Sequence, residues 1–78
     1  MDFSDWLQML RLVFGQSVVK SFRLSPGALT LNCSLKRSFV IRVEQIGEEV
    51  VAVVNEHSYR STLTWLELIN EINRLYNQ

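Results

Sequence analysis

Seventy-eight residues, 47% hydrophobic and 21% charged, suffice for one small globular core and exclude a chain disordered along its length. One cysteine and one histidine can neither close an intramolecular disulfide nor supply the four ligands of a structural zinc site. The formal net charge is zero, yet residues 1–42 hold six cations and two carboxylates, and residues 43–78 two cations and six carboxylates. Such segregation either brings opposite charges together on folding or presents a dipolar surface to a partner or a second copy.

Trp6 to Phe14 is strongly apolar, but Asp2 and Asp5 precede it, where a signal peptide would carry positive charge. Gln8 and Arg11 interrupt the run, which falls well short of the roughly 20 residues that span a bilayer. The expectation is a cytoplasmic chain with no membrane anchor, which the unpaired Cys33 also fits.

The first element is expected to be a helix capped by Asp2 or Ser4, with Phe3, Trp6, Leu7, Leu10 and Phe14 at helical spacing on its buried side. Met9, Leu12 and Val13 widen that stripe beyond what one sheet face requires, and a helix apolar nearly all round is covered on more than one side. Gly15 is a natural stop. Val18 to Leu24 then predicts a strand with Val18, Phe22 and Leu24 on one face. Lys20 falls on the same parity, which suits a strand edge or a strand starting only at Ser21.

Ser25-Pro26-Gly27-Ala28 predicts a type II turn, which sets Leu24 opposite Leu29 and Phe22 opposite Leu31. Leu29, Leu31, Cys33 and Leu35 alternate inward with Thr30, Asn32 and Ser34 outward. Cys33 is thereby a core residue and not a nucleophile. A two-residue loop after this strand would set polar Ser34 against Phe39. A three-residue loop, Lys36-Arg37-Ser38, instead pairs Leu35 with Phe39, Cys33 with Ile41 and Leu31 with Val43.

Ser38 to Asn55 predicts the central hairpin, closed by a type II′ turn at Gly47-Glu48 that pairs Val43 with Ala52 and Ile41 with Val54. Val40, Val51 and Val53 are left on the outer face beside Arg42 and Glu44. A strand apolar on both faces usually has something on both faces. Asn55 to Ser58 reads as a polar turn, with a short edge strand over Tyr59 to Ser61. Thr64 and Glu67 have capping-box spacing, and Leu63 and Leu68 stand at the positions of a hydrophobic staple. The helix they start runs to about Tyr76, with Trp65, Leu68, Ile69, Ile72, Leu75 and Tyr76 inward and Glu67, Glu71 and Arg74 in water.

The fold expected is a single α+β domain over residues 1–78: an antiparallel meander of about four strands with an N-terminal and a C-terminal helix packed on one face, α-β-β-β-β-α. Chemistry has few candidates. His57 sits in a turn beside Glu56 and Ser58, but sequence neighbours rarely aim at one point as a catalytic triad must. Glu48 and Glu49 stand at a hairpin tip, where no pocket raises a pKa. The three glycines are isolated, so no phosphate loop exists. No catalytic, cofactor-binding or metal residues are expected.

The surplus apolar surface points to a non-enzymatic protein-binding or assembly module that self-associates, of the kind that serves as a small inhibitor or adaptor of a larger complex. Its interface would use Met9, Leu12, Val13, Val40, Arg42, Val51 and Val53, with a protein partner, a homodimer or both, and no small-molecule substrate. The alternative is a nucleic-acid-binding module using Arg23 and Arg42 on the outer sheet face with the Lys36-Arg37 loop. Against it stand Glu44 on that face, the neutral chain and the lack of outward aromatics for base stacking.

Overall fold

The apolar alternation of residues 19–54 folds into one antiparallel meander, and a helix at each end of the chain returns to the same face of it. The computed structural model describes residues 3–55, 57–60 and 65–78; for Phe3, His57, Tyr59 and Arg60 it describes the backbone alone. Helix α1 (Phe3–Phe14) is followed by strands β1 (Val19–Ser25), β2 (Ala28–Ser34), β3 (Ser38–Ile46), β4 (Glu49–Val54) and β5 (His57–Arg60), and then by α2 (Trp65–Tyr76). The sheet runs β1-β2-β3-β4-β5 in chain order. This is the expected α+β meander between two helices, with the short edge strand as a fifth member.

That fifth strand starts earlier than expected. Val54 pairs with His57 and Val53 with Ser58, so two residues that read as turn belong to β5. Asn55 has φ 54°, a left-handed conformation that asparagine tolerates, and so reverses the chain at once. Its backbone N–H donates to the Val40 carbonyl (3.0 Å) and its Oδ1 accepts from the Val40 N–H (3.3 Å). The proposed end of this strand at Ser61 lies outside the described residues.

Two turns behave as their residues require. Gly27 has φ 75° behind Pro26, as position three of a type II turn demands, and Leu24 duly faces Leu29 and Phe22 faces Leu31. Gly47 has φ 64° while Glu48 keeps an ordinary φ, which fits the type II′ turn, and Val43 pairs with Ala52 and Ile41 with Val54.

Two details differ. The β2–β3 loop has three residues, but they are Leu35-Lys36-Arg37, so Cys33 pairs with Phe39, Leu31 with Ile41 and Leu29 with Val43. Alternation fixes which face a residue takes, and registers two residues apart satisfy it equally. Helix α2 favours the observed one: the backbone N–H groups of Lys36 and Arg37 donate to the Tyr76 carbonyl (2.8 and 3.0 Å), closing the helix C-terminus. The second difference is Lys20. The β1–β2 register shifts between Val19 and Ser21, a β-bulge that leaves Val19 opposite Cys33 and Phe22 opposite Leu31. The extra residue lets Val19 point inward and releases Lys20 from the inward parity.

The core is one cluster on the inner face. Trp6 and Leu10 of α1 and Leu68 and Ile72 of α2 are buried against Leu29, Leu31, Phe39, Ile41, Val43, Ala52 and Val54. Trp6 meets Trp65 edge-to-face at 4.5 Å, and Tyr76 stacks on Phe39 at 4.5 Å, so each helix is tied to its neighbour by a ring. Tyr76 also accepts a 2.6 Å hydrogen bond at its hydroxyl from Asn55 Nδ2. Ser4 lies inside α1 and is not its cap, while Asp2, the capping box at Thr64 and the staple at Leu63 lie outside the described residues. Glu71 and Arg74 pair across one turn of α2.

Ile41, fully buried in the middle strand, reports on this core. Ile41→Val should cost about 1 kcal/mol and Ile41→Ala about 3 kcal/mol by urea unfolding. Leu12→Ala, at an exposed position of α1, should stay within about 0.5 kcal/mol.

Candidate interaction surfaces

Register decides what the sheet shows to water. Across the outer face run two rows, Arg23–Thr30–Arg42–Val53–Ser58 and Ser25–Ala28–Glu44–Val51, with Asn32–Val40 at one end. Both helices pack on the other side, so none of the described elements covers these rows. Val40 is 40% exposed and Ile46, beyond the second row, 58% exposed; Val51 and Val53 are half-buried by their neighbours. At the centre, Arg42 Nε lies 2.5 Å from Glu44 Oε1. Arg42 is largely exposed and Glu44 partly so, and a pair open to solvent fixes the two side chains more than it stabilises the fold.

The other interface candidates separate. Leu12 is 84% exposed and Val13 about half exposed, while Met9 is half-buried. Within the described residues α1 is therefore covered on one side and not on several, as its composition had suggested. Asp5, Gln8, Met9 and Leu12 line a shallow open groove of about 260 Å³ along it. These residues lie on the helix layer, on the opposite side of the molecule from Val40, Val51 and Val53, so they form a second surface and not one continuous patch.

The nucleic-acid candidates are also split. Arg23 and Arg42 share an outer row with Thr30 between them, but Arg42 is occupied by Glu44. Lys36 and Arg37 project from the loop at the end of the sheet, where their backbone amides serve α2. His57 is in β5, opposite Val54, and not in a turn. Glu48 and Glu49 are exposed at the β3–β4 turn as expected. Among the described residues no three metal-ligating side chains gather, and no helix is long and apolar enough to cross a membrane.

Strand parity placed Phe22 and Leu24 inward but could not show that they stay 55% and 66% exposed, because the helix layer does not reach over this part of β1. Leu66, on the water side of α2, is also exposed. An open groove of about 380 Å³, lined by Lys20, Asn32, Ser34, Ser38, Val40 and Asn55 among others, likewise arises from distant segments and has no signal in sequence.

Cys33 is buried on the inner face, and desolvation pushes its thiol up to about 11 from 9.0. A buried thiol with a raised pKa is inert, which fits a packing role. In the folded chain the thiol keeps its proton up to about pH 11, whereas the unfolded chain releases it near 9. The folded state then binds more protons in that window, so stability falls as pH rises from about 9 to 11. Thermal melts should show a steeper alkaline loss for the natural chain than for Cys33→Ala, and iodoacetamide should modify Cys33 only after unfolding.

Comparison with known proteins finds no family model, no curated protein and no solved structure that matches the chain. The surfaces themselves are therefore the basis for a functional reading.

Proposed function

We propose that the chain is a non-enzymatic protein-binding module that self-associates through the outer face of its sheet, in the manner of a small adaptor or inhibitor. The observation that carries this is the uncovered set Val40, Val51 and Val53 around the Arg42–Glu44 pair. A two-fold interface needs a patch complementary to itself. One cation and one carboxylate two residues apart on β3 meet that need, since Arg42 of each copy can face Glu44 of the other. The valines supply apolar area around them, and a 78-residue domain gains stability from burying it.

A second reading keeps one specific support. Arg23, Lys36 and Arg37 are exposed and make no ion pair among the described residues, as phosphate contacts would require. It ranks below the first because Glu44 stands on the same face, where it would repel phosphate, and the described outer face offers no ring on which a base could stack.

Sedimentation at tens of micromolar should give a dimer for the natural chain and a monomer for Val51→Asp/Val53→Asp, with far-UV circular dichroism unchanged. Glu44→Arg alone should weaken the dimer, and Arg42→Glu/Glu44→Arg should restore it. A natural chain that stays monomeric overturns self-association. The second reading predicts retention on a mixed oligonucleotide at low salt that Arg23→Glu reduces.

A further inference from the structure

Strand β1 is a free edge of the five-stranded sheet, and three of its features do not follow from the fold alone. First, its inward residues continue the core rows without being covered. Phe22 stands in line with Leu31, Ile41 and Val54, and Leu24 with Leu29, Val43 and Ala52, yet both are more than half exposed. Second, the edge is cationic and uncompensated. β1 and β2 together carry Lys20 and Arg23 and no carboxylate, and neither cation makes an ion pair among the described residues. Third, the bulge at Lys20 ends the regular ladder on one side and the Pro26-Gly27 turn ends it on the other, leaving Ser21 to Ser25 as a defined five-residue template.

Edge strands are commonly guarded by charges and bulges, which keep identical edges from pairing. Lys20 and Arg23 fit that role, because two copies joined edge to edge would bring four cations to one seam. Guarding does not explain Phe22 and Leu24, since a protected edge has no use for two large exposed apolar side chains on its core side. The same charges that repel a second copy attract a strand of opposite sign, so repulsion and attraction select one partner class.

We propose that β1 is a docking edge for an extended acidic segment of another protein, which adds a sixth strand beside Ser21 to Ser25. Residues directly opposite one another share a face. The bound segment therefore alternates acidic and apolar residues: apolar side chains opposite Phe22 and Leu24, and carboxylates opposite Ser21, Arg23 and Ser25, within reach of Arg23 and the bulged Lys20. Backbone hydrogen bonds along the edge supply affinity, and the alternation supplies specificity. This edge shares Arg23 and Ser25 with the outer face but none of its valines, and it goes beyond the self-association reading.

The test uses two fluorescein-labelled peptides, one with the core Glu-Val-Glu-Val-Glu and one with Lys-Val-Lys-Val-Lys, read by anisotropy against the full chain at low and moderate salt. The acidic peptide should bind about tenfold or more tightly than the basic one, with the gap narrowing as salt rises. Lys20→Glu/Arg23→Glu should reverse the preference, and Leu24→Ser should weaken acidic-peptide binding several-fold while the melting curve holds. Amide exchange at residues 21–25 should slow when the acidic peptide binds. Equal affinity for both peptides, no binding by either, or binding that ignores both variants overturns the proposal. So does retention of a mixed oligonucleotide through Lys20 and Arg23 without acidic-peptide binding, which assigns the cations to nucleic acid. The same titration on Val51→Asp/Val53→Asp separates the two readings, because a chain that never dimerises still reports on its edge.

Discussion

The burial of one face of the sheet under two helices is the constraint on which the rest of this structure depends. Leu31, Ile41 and Val43 are fully buried because Trp6 and Leu10 from one end of the chain and Leu68 and Ile72 from the other meet above them. Neither helix is long, and neither could bury its apolar stripe alone. The sheet in turn would leave its apolar side in water without that cover. Contacts made by Tyr76 show how closely the two layers are joined. Its ring stacks on Phe39, its hydroxyl accepts from Asn55, and its carbonyl accepts from the β2–β3 loop.

A two-layer design of this size leaves surface unspent. Two helices of 12 residues each cover only part of a five-stranded sheet: Val19 of β1 is buried, while Phe22 and Leu24 farther along the same strand are not. At β1 the result is an apolar shelf at Phe22 and Leu24; on the far side it is an outer face with valines around an ion pair. The charge segregation seen along the chain acquires a place here. Strands β1 and β2 carry cations without carboxylates, whereas the β3–β4 turn and α2 together carry half of the acids. Opposite charges meet at Arg42–Glu44 and Glu71–Arg74, but Lys20 and Arg23 make no such pair among the described residues. The two surfaces thus differ in kind: one carries both signs of charge and the other cations alone.

Much of the fold was legible because side-chain alternation is a local and strict rule. It assigned Leu29, Leu31, Cys33, Phe39, Ile41, Val43, Ala52 and Val54 to the core, and the structure buries all of them. Turn chemistry at Gly27 and Gly47 fixed two registers outright, since each turn type admits only one loop length. The β2–β3 connection has no glycine, so parity was the only guide there and left a choice between positions two residues apart. The bulge at Lys20 was visible only as a charge on the wrong face. Ser58 and His57 looked like turn because they are polar, but an edge strand needs only a neighbour to pair with, and β4 provides it.

By itself, then, the sequence determined the order of elements, the face each strand residue takes and the two glycine turns. All of these follow from forces acting within a few residues of one another. Only the tertiary structure decided the register between β2 and β3, the burial of Val19 through the bulge, and how far the helices reach across the sheet. Those depend on segments far apart in the chain competing for the same surface. Exposure at Phe22, Leu24 and Leu12 belongs to this second class: their apolar character is written in the sequence, but whether anything covers them is a property of the whole fold.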